Sequence, residues 1–298
     1  MPIPTLPGIT AETITTPRLT TRVLFSGPAD GVPVLFIHGN ASSATYWEET
    51  MLALPPEYRA IAPDLRGYGD AEIAKKIDAT RGVSDHVDDL VALLKFLGLE
   101  WAHLCGHSMG GSIIWQFLID HPTMARTVTV AAPGSPYGYG ASKGLDGQID
   151  YPDGAGSGGG VVNAAFVAAI EAGDRSSDNP QASPRVVMNT FYWKPPFKPA
   201  REEELLSSLL STHTGAQDYP GDFVPSENWP GSAPGVYGPT NSLSPKYVGD
   251  VSRLWKITPK PPILWVRGDS DQIVGDASLF DISTLGAYGV IPGWPGAE

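Results

Sequence analysis

Through the first 135 residues, short apolar, β-branched runs alternate with stretches of helical periodicity, and this alternation leaves few architectures open. "LTTRVLFSG" (19–27), "VPVLFIHG" (32–39), "YRAIAPD" (58–64), "WAHLCG" (101–106) and "RTVTVAA" (126–132) read as strands. Between them, "GVSDHVDDLVALLKFLG" (82–98) sets Val87, Leu90, Val91, Leu94 and Leu97 on one stripe, the mark of an amphipathic helix. Ser84 or Asp85 can cap its start and Gly98 can close its end. A second helix is predicted from about Met109 to Ile119, ending near His121-Pro122, because the residue before a proline disfavours helical backbone. Strands separated by helices of this length imply βαβ units, hence an α/β fold with a mainly parallel sheet.

The pattern breaks after Pro133 and returns at "PPILWVRGDSDQIV" (261–274), which reads as one more buried strand and a loop. Residues 133–262 hold 17 of the chain's 29 prolines. Helices are plausible there at 161–173 and 201–213. Residues 1–133 and 258–298 therefore form the core, and 134–257 an insertion capping the carboxyl edge of the sheet, where open α/β sheets bind ligands. Phe191, Tyr192, Trp193, Trp229 and Tyr237 would either wall an apolar pocket or pack the cap's own interior.

A net charge of −12 argues against nucleic acid or an anionic membrane as partner, since both need basic patches. Cys105 is the only cysteine, which excludes an intrachain disulfide and a cysteine-based metal site. "MPIPTLPGIT" lacks the pattern of a signal peptide, and no apolar run is long enough to span a bilayer, so a soluble, cytoplasmic protein is expected. The oligomeric state is left open.

Chemistry concentrates in "LCGHSMGGS" (104–112), where Gly106-His107-Ser108-Met109-Gly110 follows a strand and opens a helix. G-x-S-x-G in that setting is a nucleophile elbow. Side chains at the flanking positions would strike the adjacent strand and helix, so glycine is required. The serine hydroxyl then projects at a helix N-terminus, where developing negative charge is favoured.

Together with three further motifs, the elbow resembles the α/β-hydrolase superfamily. "FIHGN" (36–40) is similar to its His-Gly loop, "APDLRGYGD" (62–70) to its Asp-x-Arg-Gly-x-Gly turn, and "WVRGDSDQIV" (265–274) to the segment carrying the triad acid. The resemblance implies Ser108 as nucleophile, with the backbone N–H groups of Asn40 and Met109 as the oxyanion hole. Asp271 would orient the catalytic histidine, with Asp269 as fallback, and His38, Gly39 and His107 would border the substrate. "HGNASSATYW" (38–47) also resembles haloalkane dehalogenases, but those need a carboxylate nucleophile. A serine displacing halide would leave an ether, whereas a serine attacking an acyl group leaves an ester that water can resolve.

The family order places the histidine after the acid. None of His38, His86, His103, His107, His121 and His213 follows Asp271, and only His213, in the insertion, could substitute. The closing strand, histidine loop and helix are expected to be missing, which would leave the Ile263–Val266 strand as an edge with an uncovered apolar face. "GAGSGG" (154–159) fits G-x-G-x-x-G, but no strand leads into it, so a mobile cap loop is expected rather than a dinucleotide site. "DSDQIVGDASLFD" (269–281) lacks the glycine of a calcium loop, so neither metal nor cofactor is expected. The reading is a serine hydrolase of carboxylic esters or related acyl compounds, acting on a small apolar substrate and impaired by the missing histidine. A cofactor-free perhydrolase or haloperoxidase, a C–C hydrolase, and a noncatalytic ligand-binding or interaction protein on the same scaffold are the alternatives.

Overall fold

A computed structural model describes residues 3–296. Seven strands form one sheet in the order β1-β2-β4-β3-β5-β6-β11. They are β1 (Thr10–Thr15), β2 (Thr20–Ser26), β3 (Val32–Ile37), β4 (Tyr58–Pro63), β5 (Ala102–His107), β6 (Ala125–Ala131) and β11 (Ile263–Val266). β1 to β2 and β2 to β4 are antiparallel, and every later pairing is parallel. Six strands lie where the apolar runs predict them. β1 (TAETIT) was not predicted; its mostly exposed, polar side chains carry no apolar alternation.

The two faces of the sheet are covered unequally. On one, α2 (Ser84–Phe96) and α3 (Met109–Asp120) bury Val87, Leu90, Leu94, Ile113 and Phe117 against Leu35, Ile37, Leu104 and Val130. On the other, a 3-10 turn (Ala44–Trp47) and α1 (Glu48–Leu52) cover β2, β4 and β3 through Phe36, Trp47 and Met51. Beyond β3 that face is open: Cys105 pairs with Thr129 and Thr129 with Leu264, while His107, Ala131 and Val266 form the next row. His107, Leu264 and Val266 are all exposed. β11 pairs only with β6, and Leu264 and Trp265 are 59% and 54% exposed, so the expected bare edge is present.

Helix ends follow local chemistry with one correction. Gly98 closes α2 at φ +70, as the sequence implies. Neither Ser84 nor Asp85 caps its start: the N-cap is Val83, without a side-chain bond. The Asp85 carboxylate instead accepts from Asp78 N–H and Arg18, because an ion pair there outcompetes a local cap.

The segment 134–257, between β6 and β11, is irregular and holds two small antiparallel pairs, β7 (Ser142–Lys143) with β8 (Gln148–Ile149) and β9 (Phe223–Pro225) with β10 (Ser232–Pro234). Its helices are α4 (Ala164–Glu171), α5 (Pro184–Phe191), α6 (Glu202–Leu210) and the short α7 (Pro239–Ser242) and α8 (Ser252–Trp255), and α9 (Ile282–Ala287) follows β11. The 154–159 segment is not an open loop but buried. Gly159 N–H donates to Asn241 Oδ1 and Ser157 bonds Ser244, and three of its glycines have positive φ, so its glycines serve tight packing inside the 134–257 segment.

Candidate active site

The serine sits where strand must become helix within one residue. Ser108 has φ 54 and ψ −118, a conformation costly for any residue with a side chain. The surrounding packing enforces it. A Cβ at Gly106 would lie 2.7 Å from Gly110 O and Ile114 Cδ1, and one at Gly110 only 2.2 Å from Ile37 O. Ser108 N–H donates to Ala131 O, and its carbonyl accepts from Gly111 and Gly134, so both neighbouring elements hold it. The side chain makes no cap bond to α3, which leaves its hydroxyl uncommitted.

The loop after β3 meets this elbow directly. A Cβ at Gly39 would lie 3.1 Å from both Ser108 Cβ and His107 Nδ1, so Gly39, Ser108 and His107 lie together. His38 does not border the substrate: it is 1% exposed, and both ring nitrogens are used. Leu65 N–H donates to Nε2, so Nδ1 carries the proton and donates to Gly39 O. Burial lowers its pKa to about 4, and the neutral ring ties the loop after β3 to that after β4. Its imidazole is a structural tie because a neutral ring offers one donor and one acceptor, and both are spent inside the protein.

The Asp-x-Arg-Gly-x-Gly turn does similar work. Asp64 is wholly buried and accepts from Arg22 and from the N–H groups of Ala44 and Asp70. Arg66 makes a two-point bond to Asp89 on α2. Tyr68, between them and Asn40, carries a contact that motif reading missed: its hydroxyl donates to Asn40 Oδ1 at 2.7 Å. Only its place in "RGYGD" hinted at proximity to the site.

Asp271 lies in the loop after β11, partly buried, with Oδ1 accepting from the N–H groups of Ile273 and Val274 at 2.9 and 3.0 Å. Desolvation of its own ring lowers the His107 pKa, and the nearby Asp271 charge opposes that shift. Asp269 points to solvent with a 92% exposed side chain. A further aspartate beyond it, Asp281, caps α9 through Thr284 N–H. His213 is committed elsewhere: its backbone N–H donates to Gly67 O and its Nε2 to Gly69 O at 3.0 Å. His103 bonds Thr127, His121 packs on Phe117, and His86 is buried with no partner on either nitrogen. Among the described residues, no histidine is hydrogen-bonded to Ser108 or Asp271.

The segment between β6 and β11 rests on the loop after β3. Tyr192 donates to Ala41 O, Ser208 bonds Ser43, and Tyr46 donates to Leu205 O. Phe166, Ile170, Met188, Leu206 and Leu209 pack there around Ala41. The five aromatics expected in the cap part company: Tyr192 and Trp193 join this cluster, Phe191 meets Phe280, Trp229 donates to Pro292 O, and Tyr237 bridges to Asp78.

Residues 32–152 match the family model of the alpha/beta hydrolase fold. The sequence is 29% identical over 117 residues to an uncharacterised carboxylesterase of Bacillus subtilis (strain 168), covering 39% of this chain and 38% of that one. It is 38% identical over 104 residues to epoxide hydrolase 2 of Siraitia grosvenorii, covering 35% and 31%. The match thus spans about a third of the length of each of these curated relatives. A hydrolase structure from Pseudomonas aeruginosa superposes with a TM-score of 0.56 at 16% identity, covering 90% of this chain and 83% of that one. The 2-hydroxy-6-oxo-6-phenylhexa-2,4-dienoate hydrolase of a Rhodococcus strain gives 0.57 at 17%, with the same coverage. At such identities the structures attest the fold. With the elbow, the His-Gly loop and the sheet order, the chain has the α/β-hydrolase fold, and residues 32–152 carry that family's pattern. Among the described residues, no helix is long and apolar enough to cross a membrane.

Proposed function

We propose that this chain is a serine hydrolase of carboxylic esters or related acyl compounds, with Ser108 as nucleophile. The observation that carries the reading is the Ser108 backbone at φ 54, bracketed by glycines, with Gly39 against its Cβ and its hydroxyl free of any cap bond. Ser108 Oγ attacks the carbonyl carbon, and the oxyanion settles between the N–H groups of Asn40 and Met109, each worth roughly 10²–10³ in rate. The C–O bond to the alcohol breaks, the alcohol leaves with the proton that the serine hydroxyl lost, relayed by solvent water, and water hydrolyses the acyl-enzyme. Gly39 and His107 border the acyl group, and Asp271 would hold an imidazole. The cap's apolar cluster beside Ala41 favours an apolar acyl chain.

Among the described residues no histidine is hydrogen-bonded to Ser108, so slow turnover is the expected behaviour of this 298-residue chain. In a serine protease, loss of the triad serine or histidine costs about 10⁶, and the rest of the site keeps roughly 10³–10⁴ over water. The test is p-nitrophenyl butyrate hydrolysis by the 298-residue chain, Ser108→Ala and His213→Ala. Weak turnover lost in Ser108→Ala and kept in His213→Ala is expected. Rapid turnover abolished by both would make His213 the base. A wild-type rate equal to that of Ser108→Ala would favour the second reading, a noncatalytic ligand-binding protein, which the unpartnered Ser108 also allows.

A further inference from the structure

Tyr68 stands between the two residues whose N–H groups would bind the oxyanion. It is fully buried. Its hydroxyl donates to Asn40 Oδ1 at 2.7 Å and lies 3.6 Å from Met109 Sδ. A phenol has one proton, so the carboxamide takes it, and the sulfur makes the softer second contact. Asn40 Oδ1 also accepts from Ala41 N–H at 2.9 Å, which fixes the side chain against its own loop. Burial pushes the Tyr68 pKa well above its ordinary value, so the hydroxyl remains a donor across the working pH range.

The chain builds this placement deliberately. Gly67 and Gly69 have φ +86 and +56, and a Cβ at Gly69 would lie 2.2 Å from Asp64 Oδ2, so the tyrosine is carried on a corner only glycine permits. Its ring meets His38 edge-on at 5.3 Å, and His38 in turn donates to Gly39 O. The loop after β4 thus grips the loop after β3 twice, once through each ring.

We propose that Tyr68 is a positioning residue for the oxyanion hole: its hydroxyl ties Asn40 to Met109, so that their N–H groups converge on one oxygen. This rests on the reading of Ser108 as nucleophile. Two donors on separate elements stabilise an oxyanion only while their spacing holds, and this one hydroxyl touches the side chains of both.

Phenylboronic acid tests both points, because it forms a tetrahedral adduct on a reactive serine and lends one oxygen to the hole. The adduct is followed by ¹¹B NMR and its Kd by titration. Wild-type protein should form it and Ser108→Ala should not. Tyr68→Phe, which keeps the ring, should raise Kd about tenfold with the melting temperature within a few degrees. Asn40→Ala, which keeps the backbone N–H but removes the acceptor, should weaken binding similarly. Tyr68→Phe added to it should then cost nothing more, a coupling that general loosening would not produce. A Tyr68→Phe Kd within twofold of wild type, or fully additive losses, would overturn the clamp while leaving Ser108 in place. No adduct on wild type would overturn the serine reading, and the clamp with it.

Discussion

Ser108 and Asp271 both follow parallel strands, with β6 between those strands, yet their settings differ sharply. β5 is paired on both sides, and the elbow after it has backbone atoms within 3 Å of where its glycines would carry side chains. β11 is paired on one side only, and around Gly268 the nearest atom to a built Cβ is 3.9 Å away. The serine is held by the whole fold. The aspartate is held by two N–H groups of its own loop. Geometry imposed by packing resists change, whereas geometry imposed by one turn depends on what lies beside it.

The largest effect separating the two halves should come from Gly110→Ala. Its methyl group would strike Ile37 O, which the parallel ladder keeps from retreating, and overpacking of this severity should cost about 3 kcal/mol or more. Urea denaturation reads this directly, and a loss below about 1 kcal/mol would show a far softer elbow.

Acid should act on the serine half through His38 and His86, whose pKa values burial lowers to about 4 and about 3. The unfolded chain protonates first, near pH 6.5, so stability is full above that value and is lost as pH falls toward the folded values. Each ring contributes a limiting slope of about 1.4 kcal/mol per pH unit, together roughly 3 kcal/mol between pH 6.5 and 5. Denaturation at the two pH values measures the loss. His86→Leu should halve it without harm at pH 7, since neither ring nitrogen has a partner. His38→Leu should halve it too but cost stability at every pH, because Leu65 N–H and Gly39 O lose their partner.

Hydrogen exchange should then rank the strands. Amides of β11 should exchange at least about a hundredfold faster than those of β5, since one flank and both faces of β11 meet solvent. Equal protection would mean the aspartate half is as firmly built as the serine half. The smallest effect should be that of Gly268→Ala, within about 0.5 kcal/mol of wild type by the same urea assay. A larger loss would reveal a constraint on the Asp271 loop beyond its own turn.

Much of this was legible in the chain because it depends on neighbours in sequence. Apolar runs of strand length, the helical stripe from Val87 to Leu97 and the glycines around Ser108 carry their meaning locally. β1 stayed hidden because a hairpin edge needs no apolar face, and α5 because its Ser183 cap sits in a proline-rich stretch that hides periodicity. The 154–159 segment looked open because its glycines suit either a flexible loop or a tightly packed one; Asn241 and Ser244 decide between them.

The sequence by itself determined the sheet, the elbow and the identity of the residue it presents, since these follow from period, glycine sterics and strand–helix order. Only the tertiary structure decided which side chains face the serine and which are spent elsewhere. His38, beside the site in sequence, is consumed by Leu65 and Gly39. His213, the one alternative base, is drawn to Gly67 and Gly69. Tyr68, 28 residues beyond Asn40, closes on it. Such partnerships are set by where loops from different strands meet, and a single strand of sequence holds no record of that meeting until the chain has packed.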